Sequence, residues 1–333
     1  MSRGSPGKVR RRWVPAVAAG LTAVVGLVGV LVLLTSNGRS DGAGRSSLRL
    51  EQIPFDGAKA YEYLKEICKL GRRPSGSPGM EAQQKLLVEH FTKLGAKVRL
   101  QQFRAQDPLG GPDVAMANLI VEWHPESKER ILLCTHYDTL PYPLMDRVDP
   151  RGVFVGANDG GSGVALLMAL GHDMPGLKTA YGVDFVFFDG EEYIFDPNGT
   201  YFLGSEFFST TYVKEPPPYR YRWGVLLDMI GDADLQIYQE RNSMWWPDTR
   251  PLVEEIWATA RKLGVREFIG KQKYEIRDDH LALHNIAGIP ACDIIDFDYP
   301  AWHTRADTPE RCSALSLAKV GWVIRQWLVT THP

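Results

Sequence analysis

Val183-Asp184-Phe185-Val186-Phe187-Phe188-Asp189-Gly190-Glu191-Glu192 is the run on which the fold turns. Its first part is short, mostly apolar and aromatic, the pattern of a buried strand. It ends in two adjacent carboxylates. Neighbouring side chains of an extended chain point to opposite sides. The pair can therefore split its work, one carboxylate gripping a metal while the other faces a substrate or water. Two buried anions side by side are costly without a cation, so the rest of the chain is expected to supply further ligands.

Outward from this run, helices and strands alternate. Apolar residues at helical spacing mark 58–70, 80–94, 250–263 and 315–328, with shorter helices at 162–170 and 279–287. Strand patterns fall at 97–103, 118–123, 130–135, 223–227 and 289–295. The stretch 72–79 is a loop by its Pro and Gly content. This alternation implies an α/β fold, a mixed, mostly parallel sheet covered on both faces. Apolar strands end in His136, Glu191-Glu192 and Asp228, with Asp159 in a loop before a helix and His303 in a loop after a strand. In open α/β sheets the carboxyl ends of strands form the ligand crevice. Polar residues collected there from several strands are hard to explain as packing.

The chain has 333 residues, 44% of them hydrophobic, and a formal net charge of −2. That suits one large domain or two small ones and gives no support for a nucleic-acid partner. The N-terminus differs in kind. Arg10, Arg11 and Arg12 precede an uncharged apolar run at 13–35, long enough for the roughly 20 residues that span a bilayer. The run is too long for a cleaved signal and lacks a good cleavage site. The expected organisation is a basic cytoplasmic tail (1–12), a single transmembrane anchor (13–35), a flexible linker (36–54) and an extracytoplasmic catalytic domain (55–330). Among Cys68, Cys134, Cys292 and Cys312 there is no Cys-x-x-Cys, which argues against a thiolate zinc site. Cys134 and Cys292 read as small buried hydrophobes.

Histidine and carboxylate ligands without thiolate suit a catalytic zinc site with an open position. In His136-Tyr137-Asp138 the carboxylate of Asp138 could hold the second nitrogen of His136 and fix its tautomer. Glu191-Glu192 supplies a base and a ligand.

His136-Tyr137-Asp138, the loop 156–163 around Asp159, Glu191-Glu192, Asp228-Met229-Ile230-Gly231 and the run 303–308 resemble peptidase family 28, the co-catalytic zinc aminopeptidases, over about residues 55 to 330. The resemblance implies a three-layer α/β/α sandwich. It implies two metals bridged by Asp159, with His136 and Asp228 on one, Glu192 and His303 on the other, and Glu191 as general base. Within that superfamily the chain is also similar to the animal-type glutaminyl-peptide cyclotransferases. Gly76-Ser77-Pro78-Gly79, the insertion before Gly204-Ser205, Asp278-Asp279-His280 and Trp302-His303-Thr304 carry that likeness. It implies one zinc on Asp159, Glu192 and His303, a proton shuttle at Glu191, assistance from Asp278 and Asp228, and Trp302 in the glutamine pocket. Three positions depart from the cyclotransferase pattern. A second pocket tryptophan is missing near Pro197, Cys292 replaces a histidine, and Val164 replaces a disulfide partner. Both readings take peptide or protein N-termini as substrate. A third, a membrane-tethered binding domain with a dead site, predicts loss of a ligand or the base, and none is lost.

Overall fold

The computed structural model describes residues 45–332. The basic tail, the apolar run 13–35 and the first part of the expected linker lie outside the described residues. Among those described, no helix is long and apolar enough to cross a membrane.

The chain begins with α1 (Gly57–Lys69), α2 (Pro78–Lys93), β1 (Lys97–Ala105), β2 (Val114–Trp123) and β3 (Glu129–His136). It continues through α3 (Ser162–Leu170), β4 (Gly182–Phe188), α4 (Leu203–Lys214), β5 (Arg220–Asp228), β6 (Ile237–Gln239) and α5 (Arg241–Trp245). It closes with α6 (Arg250–Leu263), β7 (Phe268–Gln272), α7 (Asp279–Asn285), β8 (Ala291–Ile295) and α8 (Ala314–Thr330). Local chemistry sets several boundaries. Asp56 caps α1 by accepting the Lys59 N–H at 2.8 Å, and Ser77 caps α2 at Met80 with Pro78 in the first turn.

Six strands form one sheet in the order β1-β2-β4-β3-β5-β8. β1, β2 and β4 pair antiparallel, while β4, β3, β5 and β8 run parallel. β6 and β7 form a separate parallel pair. The period of two along β3 divides the interior. Ile131 and Leu133 enter a large core with residues of α1, α2, α3, α6 and α8, whereas Leu132 and Cys134 enter a smaller one with Phe208 of α4 and Leu283 of α7. Helices thus cover both faces, as the alternation of elements predicts.

Three expectations change. β4 stops at Phe188, so Glu191 and Glu192 lie in bends beyond the strand and not on alternate faces of it. Gly190, at φ +72°, turns the chain there. Second, α4, α5, β6 and β7 do not stand out in the sequence. α4 (LGSEFFSTTYVK) mixes β-branched and aromatic residues around polar ones and shows no clean apolar stripe. Third, residues 45–54 are docked rather than loose. Ser46 donates its N–H (3.0 Å) and hydroxyl (2.9 Å) to the Glu267 carboxylate, which also takes Lys319 Nζ at 2.7 Å, and Ile53 is buried in the large core. A buried carboxylate needs such donors.

Candidate metal centre and active site

The parallel register brings separated residues together. His136 ends β3 opposite Phe188 of β4, and Asp228 ends β5 opposite Ile295 of β8. The Asp159 loop enters between them under three restraints. Arg73, fully buried, donates to the carbonyls of Val155 (2.8 Å) and Gly156 (2.9 Å). Asp307 accepts the N–H groups of Asn158 (2.8 Å) and Asp159 (3.1 Å) and the Tyr299 hydroxyl (2.7 Å). Asn158 Oδ1 accepts the Gly231 N–H at 2.7 Å. Gly160 is required by close approach, because a Cβ there would lie 2.3 Å from the Asp138 carbonyl oxygen, at φ +75°.

Asp138 has contacts beyond the expected one. Its oxygens accept the backbone N–H groups of Glu191 (3.0 Å) and Glu192 (3.1 Å), one each. Its separation from His136 Nδ1 is 3.7 Å, beyond hydrogen-bond reach. The carboxylate thus hydrogen-bonds the backbone of the paired glutamates and also faces the imidazole at ion-pair distance. Glu192 Oε1 accepts the Leu140 N–H at 2.7 Å, which aims Oε2 the other way.

Two ligand groups result. Asp159 Oδ2 and Glu192 Oε2 are buried without a hydrogen-bond partner, and His303 Nε2 stands 3.4 and 3.3 Å from them. His136 Nε2 is 3.2 Å from both Asp159 Oδ1 and Asp228 Oδ1. In each group the ligand atoms fall within 4.8 Å of one another. Orphaned acceptors converging on imidazole nitrogen, with no thiolate, fit a metal with nitrogen and oxygen ligands. Asp159 belongs to both groups through different oxygens, and all five residues are at most 7% exposed.

The electrostatics follow from this crowding. Burial raises Glu191 well above the ordinary carboxylate range; His136 opposes the shift, and Asp278 and Glu192 add to it. Burial likewise raises Asp278, with Asp228 and Asp279 contributing. Burial also opposes ionisation of Asp159, yet His136 and His303 outweigh it and hold this carboxyl below its usual value. Burial and Asp159 push Asp307 up to about 7.

Beside the ligands lies a cavity of about 260 Å³, walled by Glu191, Asp228 and Asp278 on its polar side and by Trp302, Phe297 and Ile276 on its apolar side. Trp302 stacks on His303 with ring centroids 4.0 Å apart. Phe202, Met229 and His303 also line it and hold positive φ (65°, 46° and 55°), a conformation costly for non-glycine residues. All the expected site residues except Asp138 meet at the cavity or its two ligand groups. Pro197 does line it, and the aromatic surface absent there comes from Tyr201 and Phe202. Cys292 turns into the large core, and its neighbour Asp293 is buried near His280 of α7, with Oδ2 4.0 Å from Nδ1. The sequence reading missed the pocket aromatics and Arg73. An arginine in a Gly/Pro loop carries no local sign of burial.

Comparison with known proteins agrees with this geometry. Residues 118–328 match the profile of Peptidase family M28. The crystal structure of a Fimbriiglobus ruber glutaminyl cyclase superposes with a TM-score of 0.80 and 39% identity, covering 86% of this chain and 98% of that one. A Zn-dependent exopeptidase from Parabacteroides distasonis gives a TM-score of 0.78 and 29% identity over 83% of this chain and 99% of its own. The glutaminyl-peptide cyclotransferase of Bos taurus is 25% identical over 292 residues, 77% of this chain and 78% of the bovine one.

Proposed function

This chain belongs to peptidase family M28, and from that premise we propose that it is a zinc-dependent glutaminyl-peptide cyclotransferase, converting N-terminal glutamine of peptides or proteins to pyroglutamate with release of ammonia. The observation that carries the reading is Asp278, a buried carboxyl outside both ligand groups on the pocket wall it shares with Glu191. Hydrolysis at a metal needs one base. Cyclisation moves a proton from an amine to a departing amide nitrogen through one base and has work for a further carboxyl that steadies the amine meanwhile. The likeness to glutaminyl cyclases supports the same choice.

Asp159, Glu192 and His303 would hold the zinc, which when bound supplies polarisation of the γ-amide carbonyl. Glu191 takes a proton from the substrate α-amine. The amine nitrogen then bonds to the carbonyl carbon of the γ-amide, the bond from that carbon to the amide nitrogen breaks, and Glu191 returns the proton to the nitrogen that leaves as ammonia. No water is consumed. Asp278 and Asp228 steady the amine during the transfer, and Trp302 closes the apolar side of the glutamine pocket. Burial and neighbouring carboxylates raise Glu191, which suits a group that must both accept and donate.

A second reading has its own observation. His136, Asp159 and Asp228 form a complete further ligand group, as a dizinc aminopeptidase cleaving the first peptide bond requires. One experiment separates the two. Gln-initiated and unblocked peptides are incubated with the enzyme, and ammonia, pyroglutamyl product and free amino acid are measured. Ammonia with an intact blocked peptide supports cyclisation. Free amino acid without that product, with two zincs per chain, supports the peptidase.

The run 13–35 with Arg10 to Arg12 ahead of it further supports a single membrane anchor, N-terminus inside and catalytic domain outside. Protease added to intact cells or spheroplasts should then digest the catalytic domain; protection would reverse the topology.

A further inference from the structure

Glu240 lies between β6 and α5, touches neither ligand group, and is 2% exposed. Both of its oxygens are engaged. Oε1 accepts the N–H groups of Asn242 (2.9 Å) and Ile276 (3.0 Å). Oε2 accepts the N–H (2.7 Å) and hydroxyl (2.8 Å) of Ser243 and stands 3.4 Å from His280 Nε2. Ile276 lies two residues before Asp278 and His280 two residues after it. Around the same point Arg241 N–H donates to the Tyr274 carbonyl (2.8 Å) and Asn242 Nδ2 to the Ile276 carbonyl (3.2 Å). The Ser243 hydroxyl oxygen also accepts the Asp293 N–H at 3.2 Å, which refers the assembly to β8 of the central sheet.

Asp278 itself has little hold on its position. Its carboxylate makes one hydrogen bond, to the adjoining Asp279 N–H at 2.6 Å. With that single bond to its own neighbour, its place in the pocket is set by the backbone on both sides.

We propose that Glu240 is the positioning residue that fixes Asp278 in the substrate pocket, by hydrogen-bonding the Ile276 N–H two residues before it and packing 3.4 Å from the His280 imidazole two residues after it. The proposal rests on the reading of Asp278 as a group that meets substrate. A carboxylate suits the task because both oxygens accept. An amide has a single acceptor atom and must release either the Ile276 or the Ser243 side. A displacement of about 1 Å at a reacting group can cost about 10²-fold in rate.

The test is a double-mutant cycle in the full-length enzyme with Glu240→Gln and Asp278→Asn, scored by kcat and KM, zinc content and thermal unfolding. It is run on whichever product the wild-type enzyme makes, so failure of the cyclase reading and failure of this coupling are separate results. Glu240→Gln should keep wild-type zinc content and lose about ten- to a hundredfold in kcat/KM. The double variant should be no worse than Asp278→Asn alone. Multiplying losses would overturn the proposal, as would wild-type kcat/KM in either single variant. If Glu240→Gln fails to fold, His280→Asn, which leaves the Ile276 bond, enters the same cycle with the same outcomes.

Discussion

Asp138→Asn should weaken the centre without touching a ligand. Each Asp138 oxygen accepts one backbone N–H, from Glu191 at 3.0 Å and from Glu192 at 3.1 Å. Asparagine keeps one acceptor and sets an NH₂ group against the other N–H. Loss of a hydrogen bond to a charged group costs about 1.5–3 kcal/mol, and the buried donor left behind about 1–3 kcal/mol. With partial relaxation the sum is about 3–5 kcal/mol, or roughly 6–15 °C in Tm for a domain of this size. Glu192 would then present Oε2 less well, and metal affinity should fall about 10–100-fold, as for other residues that orient ligands. Displacement of Glu191 should lower kcat by a similar factor. Thermal unfolding, zinc titration against a competing chelator and steady-state kinetics on one preparation measure all three. A lowered Tm with wild-type zinc affinity and kcat would refute the clamp and leave Asp138 as a packing residue.

Further outcomes follow from individual contacts. Glu191→Gln should cut kcat about 10²–10⁴-fold with zinc content unchanged, because Asp138 holds its backbone N–H and not its side chain; substantial turnover would remove its assigned role. Gly163→Ala should destabilise the fold by about 3 kcal/mol, since the new Cβ would lie 2.2 Å from Thr135 Oγ1 and 2.4 Å from the Leu227 carbonyl oxygen; an unchanged denaturation midpoint would contradict this packing. Burial opposes ionisation of Glu267, but Lys319 outweighs it and holds this carboxyl below its usual value. Its contribution is therefore present above the unfolded-state pKa and lost as pH falls through the lower folded-state value. Glu267→Gln should cost about 3 kcal/mol near neutrality by leaving Lys319 buried without its partner, and the gap to wild type should close in acid; a gap that stays constant with pH would argue against the ion pair.

Much of the architecture was legible because burial leaves a local trace. β3 and β4 are buried along nearly their whole length and read as mostly apolar runs, and α6 shows its stripe at helical spacing. α4 was not legible because it packs through scattered aromatics, and β6 because it is three residues long. Within the site, residue types and their order along the chain pointed to His136, Asp159, Glu192, Asp228 and His303. Asp138 lies beside His136 as its spacing suggests, but its hold on Glu191 and Glu192 spans more than fifty residues and leaves no local mark.

Side-chain chemistry and periodicity are local properties, and they specify an α/β chain whose strand ends carry nitrogen and oxygen ligands and a paired carboxylate. It takes the folded chain to show that Asp159 turns a different oxygen to each ligand group, that Asp138 grips Glu191 and Glu192, and that Asp278 shares a pocket wall with Glu191. Those relations depend on which strands lie side by side. Strand order is set by pairing between segments as far apart in sequence as Cys134 and Leu226, and no local pattern encodes a distance through space.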